Sequence, residues 1–233
     1  MSPNGEGEAG PGAAANAPSG GAIGSTGYAV RYGIEYPDRQ LNRLTSFFRI
    51  IVIIPIAIVL WSIVGFTGGW GADSNEATTI TVGGAGLLFF PPLLMILFRK
   101  KYPRWWFDWN RELFRFGNRV GLYLALMDDR YPSTDEQQSL RLEIDYPDAE
   151  RDLMRGMPLV KWILAIPHYI ILFFLWIAAV FAVIFSWFAI LFTGRYPRSL
   201  FDFVEGVLRW HARVMGYMYL LVTDRYPPFS LSD

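Results

Sequence analysis

The run from Leu159 to Thr193 sets the narrowest limits on this fold: it is apolar almost throughout and carries one charge, Lys161, near its start. Two shorter apolar stretches, 44–66 and 78–98, precede it. Each is close to the ~20 residues a helix needs to cross the hydrocarbon of a bilayer. Of the 233 residues 52% are hydrophobic, and that excess sits in these few runs, which points to a membrane rather than to a large soluble core.

The chain also resembles itself. Ile34-Glu35-Tyr36-Pro37-Asp38 returns as Ile144-Asp145-Tyr146-Pro147-Asp148. Arg39, Arg43 and Arg49 return as Arg151, Arg155 and Lys161, and Ile54-Pro55 as Ile166-Pro167. Beyond the apolar runs, Lys101-Tyr102-Pro103-Arg104 matches Arg195-Tyr196-Pro197-Arg198, and Arg115 and Arg119 match Arg209 and Arg213. Asp129-Arg130-Tyr131-Pro132 closes the first unit and Asp224-Arg225-Tyr226-Pro227 the second. So many matches in one order imply two tandem repeats, 28–132 and 139–233, joined by a polar linker at 133–138. Residues 1–27 are rich in Gly, Ala, Pro and Ser, lack the pattern of a secretory signal, and read as a disordered tail.

Each unit opens with period-two alternation: Tyr28, Val30, Tyr32 and Ile34 in the first, Leu140, Leu142 and Ile144 in the second. That predicts a short strand before each repeat, and the two strands are able to pair. Pro91-Pro92 predicts a kink in the run 78–98. The loop 67–79 holds Asp73 and Glu76 but no Lys or Arg, whereas the other ends carry Arg39, Arg43, Arg99, Lys100, Lys101 and Arg104. The positive-inside rule then places both ends of this first hairpin, and the N-terminus, in the cytoplasm. Arg49 reaches the same interface by snorkelling. Trp61 and Trp70 suit the opposite one.

The run 159–193 admits three readings: a tight hairpin around Trp176–Val180, a re-entrant hairpin, or one long helix kinked at Pro167. A single helix would be roughly 50 Å long against a ~30 Å core, and would carry Arg195 and Arg198 across the membrane against the charge rule. The absence of Gly or Pro at 176–180 favours the single helix; charge and repeat favour the hairpin, which is the expectation here.

Each unit ends in an amphipathic segment, about 104–126 and 198–221. Read as helices along the cytoplasmic interface, they offer Arg115, Arg119, Arg209, Arg213, Trp105, Trp106 and Trp210 to anionic headgroups or to a partner subunit. The fold expected is thus an all-α integral membrane protein of two repeats, each a membrane hairpin followed by an interfacial helix. Tyr36, Pro37, Asp38, Tyr146, Pro147, Asp148, Asp129, Arg130, Asp224 and Arg225 read as turns at the membrane surface, or as a docking edge.

Ile166-Pro167-His168, the string Trp187-Phe188-Ala189-Ile190-Leu191-Phe192-Thr193-Gly194-Arg195-Tyr196-Pro197, and Asp224-Arg225-Tyr226-Pro227-Pro228-Phe229 together resemble a bacterial membrane family known as a domain of unknown function. The first unit departs from that pattern: Ile56 stands where the family has His, and Gly117 follows Phe116 in place of Trp-His. The resemblance implies a multi-pass inner-membrane protein and supplies no reaction or substrate.

Candidate chemistry is sparse. With no cysteine and two histidines, His168 and His211, no ligand set for a metal is evident. His168, inside an apolar run, is the one weak cofactor candidate; the alternative is a packed residue bonded to a carbonyl freed by Pro167. Zero net charge gives no reason to expect nucleic acid. The expectation is a non-catalytic scaffold or accessory subunit of a larger membrane complex, with no cofactor, and with the bilayer and other subunits as partners. A lipid-handling protein and a small transporter are the alternatives.

Overall fold

A computed structural model describes residues 27–37, 40–64, 84–134, 136 and 138–232. The tail before Gly27, Asp38, and the loop 67–79 with Trp70 lie outside the described residues. In chain order the elements are β1 (Val30–Ile34), α1 (Arg43–Val52), α2 (Ile54–Val64), α3 (Gly84–Leu94), a π-helical turn (Met95–Arg99), α4 (Arg104–Leu124), β2 (Leu140–Ile144), α5 (Met157–Leu164), α6 (Ile166–Thr193) and α7 (Arg198–Met218).

Local chemistry accounts for most boundaries. Asn42 caps α1, its Oδ1 accepting from the backbone N–H of Leu44 at 3.0 Å. Pro103 and Pro197 precede α4 and α7 with φ −62° each, and their carbonyls accept the first helical bonds, from Phe107 and Phe201. Pro91 and Pro92 lie inside α3 and lead directly into the π turn. Pro92 has no N–H for the carbonyl of Leu88, four residues back. That oxygen accepts instead from Trp106 Nε1 at 3.2 Å and Asn110 Nδ2 at 3.4 Å, which ties α3 to α4.

β1 and β2 pair antiparallel, with Val30 opposite Ile144, Tyr32 opposite Leu142 and Ile34 opposite Leu140. Their alternation sorts the sheet into two faces. Val30, Tyr32, Leu140, Leu142 and Ile144 are buried. On the other face Arg31 pairs with Glu143 and Asp145. The buried face lies on α7: a Cβ built on Gly216 would stand 2.5 Å from Val30 Cγ2.

The hairpin expected in 159–193 does not occur. α6 runs without a break from Ile166 to Thr193, straight through Trp176–Val180. That stretch holds Ala178 and Ala179 and nothing that turns a chain. The break falls earlier, at Ala165, where Pro167 lies in the first turn of the new helix. At Gly194, φ +74°, α6 ends, and α7 runs back along it. Contacts follow the pair: Tyr196 meets Phe201 near the turn, Trp176 meets His211, and Tyr169 meets Met218 at the far end.

α6 is therefore the described helix long and apolar enough to cross a membrane by itself. α1 and α2 would make such a length together, bent by 49°. Only one stripe of α6 is buried, through His168, Leu172, Ala179, Ala182, Ser186 and Ile190. Phe173, Phe174, Val180, Phe181, Phe185 and Phe192 stand exposed around the rest.

α7 differs from an interfacial helix. Phe201, Val204, Val207, Leu208, Val214 and Tyr217 are all buried, and α7 lies between α6 on one side and β1 on the other. Helical periodicity identified its apolar and polar stripes, but protein covers the apolar one and the polar one from Glu205 to Arg213, leaving Asp202 exposed.

Candidate functional site

Two buried cations, Arg49 and Lys161, each form a clamp. In the first, Arg49 is 2% exposed and donates through Nη1 to the carbonyls of Tyr123 at 2.8 Å and Asp128 at 3.0 Å. Its Nη2 pairs with Asp129, and the guanidinium lies 4.3 Å from the centre of the Tyr123 ring. In the second, Lys161 is fully buried. Its Nζ donates to the carbonyl of Thr223 at 2.8 Å, stands 2.8 Å from Asp224 Oδ1, and lies 5.0 Å from the Tyr217 ring centre. The carboxylates also hold backbone: Asp129 accepts from the N–H of Asn42 at 2.9 Å, Asp224 from that of Met154 at 2.6 Å. Each clamp thus ties the start of an apolar helix to the segment that follows an amphipathic one.

Burial pushes the Lys161 ammonium below its ordinary pKa, and Asp224 pulls against that shift. A cation in such a place needs its partners to remain charged. The sequence reading missed both clamps, taking Arg49 as a snorkelling residue. The available signal was that Arg49 and Lys161 are internal charges of apolar runs at matched positions, each answered by an Asp of a matched Asp-Arg-Tyr-Pro motif.

The tyrosine motifs reach across the molecule. Tyr36 donates to the carbonyl of Tyr196, and Tyr146 to that of Tyr102, both at 2.5 Å. Pro147 is buried, and Pro37 half-buried, beside these tyrosines. Asp148 Oδ1 caps the N–H of Glu150 at 3.1 Å. Arg225 donates to the carbonyl of Gly27 at 2.5 Å, while the backbone N–H of Arg130 donates to Asp128 at 3.0 Å. Asp38 lies outside the described residues.

Of the residues expected to meet headgroups, the four arginines, Trp106 and Trp210 contact the chain itself, while Trp105 stands exposed. Arg209 donates to the carbonyls of Tyr32 at 2.9 Å and Leu231 at 3.0 Å, and pairs with Glu205. Arg213, 2% exposed, donates to the carbonyl of Ser232 at 2.9 Å. Arg115 donates to the carbonyl of Leu142 and Arg119 to that of Ser133. Trp210 is buried and Trp106 is bonded to Leu88; Trp105 is 68% exposed. A helical wheel locates a stripe of arginines but not the backbone that covers it: β1 and the C-terminal residues 230–232 lie over α7 and present carbonyls to it.

His168 is fully buried, stacked on Phe229 at 4.1 Å between ring centres. Its partner is Trp210, whose Nε1 lies 3.0 Å from Nδ1, rather than the proline-freed carbonyl expected from sequence. An indole N–H only donates, so Nδ1 holds a lone pair and the imidazole proton belongs on Nε2. A metal or haem iron at Nε2 would need that position deprotonated while Nδ1 also stays bare. The arrangement therefore suits packing better than ligation. His211 meets Trp176 edge-on at 5.5 Å. No group of three His, Asp or Glu able to hold a metal occurs among the described residues.

A cleft of about 430 Å³ lies beside the second clamp, lined by Asp145, Tyr146, Asp152, Asp224 and Arg225 among others. Its charged groups are engaged: Asp145 with Arg31, Asp224 with Lys161 and the Met154 N–H, Arg225 with Gly27.

Neither a curated protein nor a solved structure matches the chain. Residues 157–230, spanning α5, α6, α7 and the closing Asp-Arg-Tyr-Pro segment, match the family model described as Domain of unknown function (DUF4389), which covers about a third of the chain.

Proposed function

We propose that this chain is a non-catalytic membrane protein built from two interlocked copies of one unit, and that it serves as a scaffold or accessory subunit of a larger membrane assembly. The observation that carries the membrane reading is the surface of α6, where phenylalanines, isoleucines and valines stand exposed on every side but one buried stripe. Exposed apolar surface on this scale fits lipid or a membrane-embedded partner, not water. The scaffold reading draws on the clamps: Arg49, Lys161, Arg209 and Arg213 all hold the chain's own carbonyls, which makes a rigid body rather than a reaction centre. Matched positions make matched contacts in both halves, which supports the duplication.

Purification of the full chain in mild detergent, with mass spectrometry of what accompanies it, tests this. A stoichiometric membrane-protein companion is the expected result; a lone monomer overturns the scaffold role. The lipid-handling reading has less support from α7, where Arg209 and Arg213 hold the chain's own carbonyls, than from Arg115, which is 30% exposed.

A further inference from the structure

We infer that α6 lies along one leaflet of the membrane, with its exposed side in lipid and the charged face of the sheet in water, and does not cross the bilayer. This rests on the membrane residence proposed above.

The argument starts from what shares a level along α7. α6 packs on α7 through its first three turns, where Trp210 bonds His168, Trp176 meets His211 and Tyr169 meets Met218, and its other end joins α7 through residues 194–197. A helix that runs back along another through a four-residue connection takes the same inclination to the membrane. If α6 stood upright, α7 would stand upright too. β1, however, lies on α7 over that same stretch: Ile34 N–H donates to Glu205, Tyr32 accepts from Arg209, and Val30 abuts Gly216. The outward face of the sheet carries Arg31, Glu143 and Asp145, the two carboxylates about half exposed. An upright α6 would sink these charges into hydrocarbon beside it, where charge is strongly disfavoured. Laid flat, the molecule has lipid below α6 and water above the sheet, with α7 between.

The distribution of basic residues points the same way. Arg151 and Arg155 stand exposed before α6, Arg195 and Arg198 after it. A crossing helix tends to carry its Lys and Arg on one side of the membrane. Bases at both ends suit a helix whose two ends meet the same anionic headgroups. This also reconciles the unbroken α6 with the charge rule, which favoured a hairpin.

The chain has no cysteine, so single-cysteine variants report one position each. Ile170, Phe181 and Phe192 are all exposed, and at eleven-residue steps they share the face opposite the buried stripe. Nitroxide labels on Ile170→Cys, Phe181→Cys and Phe192→Cys, in phosphatidylethanolamine–phosphatidylglycerol vesicles, give their depths from collision with oxygen and with a polar relaxant. Arg155→Cys and Arg195→Cys, treated with an impermeant maleimide in oriented membranes, give their side. The expected result is one depth for all three labels, within a few ångströms, and labelling of both arginine positions from one side only. A crossing helix would put Phe181 about 16 Å deeper than its neighbours, the rise over eleven residues, and would split Arg155 from Arg195. Either finding overturns the proposal, and so does a deep Phe181 with both ends on one side, which would mark a re-entrant hairpin. Extraction of the wild type by alkaline carbonate would instead refute membrane residence itself.

Discussion

Lys161→Met removes a charge while keeping a long, flexible side chain, and its effect follows from what Lys161 holds. The ammonium is fully buried, 2.8 Å from both the Thr223 carbonyl and Asp224 Oδ1. Without it Asp224, 12% exposed, is left as a near-buried carboxylate with the Met154 N–H at 2.6 Å as its remaining described partner. Removing one member of a buried pair typically costs about 3–5 kcal/mol, because the other charge is left uncompensated. For a chain of this size each kcal/mol moves a thermal midpoint by roughly 2–4 °C, so the loss corresponds to about 6–20 °C. The assay is tryptophan fluorescence of purified protein in mild detergent, heated at a fixed scan rate, since membrane proteins often unfold irreversibly.

The double variant Lys161→Met/Asp224→Leu decides the cause. Replacing both partners by apolar groups removes the stranded charge, so the double variant should be more stable than Lys161→Met alone, with a coupling of about 0.5–3 kcal/mol. The cycle at Arg49 and Asp129 should have the same sign, since that pair likewise joins a buried cation to an Asp, to the carbonyl just before it and to a backbone N–H. A Lys161→Met midpoint within about 4 °C of wild type, or additivity in both cycles, would refute the view that the clamps hold this fold together.

Other outcomes follow from single contacts. Gly216→Ala places a Cβ 2.5 Å from Val30 Cγ2 and should destabilise by about 1–3 kcal/mol, read as a lower midpoint in the same detergent; an unchanged midpoint would mean that β1 does not rest on α7. Trp210→Phe removes the donor to His168 Nδ1 in a buried site and should cost about 1–3 kcal/mol, while leaving carbonate-resistant membrane retention unchanged. Arg209→Gln should lower stability by about 1.5–3 kcal/mol yet leave the bound-lipid profile by mass spectrometry as in wild type; altered lipids with unchanged stability would restore the headgroup reading.

What the sequence disclosed was local. Alternation at Val30, Tyr32, Leu140 and Leu142 placed the strands, and the two pair as their patterns allow. Period 3.6 placed helices near 104–126 and 198–221, where α4 and α7 occupy Arg104–Leu124 and Arg198–Met218. The unturned stretch at 176–180 correctly favoured one helix, but it was outweighed by a charge rule that assumes a crossing. Arg49 and Lys161 were visible as charges in apolar runs, and a lone charge there is equally consistent with reaching the interface or pairing inside. Asp129 and Asp224 lie roughly 60–80 residues away in sequence, and no helical or strand period spans that distance.

The cross-contacts bear on what one unit is able to do. The strand before each half serves the other half's amphipathic helix: Arg209 of α7 takes the carbonyl of Tyr32 in β1, and Arg115 of α4 takes that of Leu142 in β2. Tyr36 and Tyr146 cross in the same sense to Tyr196 and Tyr102. The segment that matches the family model, 157–230, contains α7 but neither strand. By itself it leaves Glu205 without the Ile34 N–H, Arg209 without the Tyr32 carbonyl, and the space beside Gly216 without Val30. A buried polar stripe stripped of its partners is costly. The stable element in this chain is therefore a pair of amphipathic helices, each roofed by a strand from the other half.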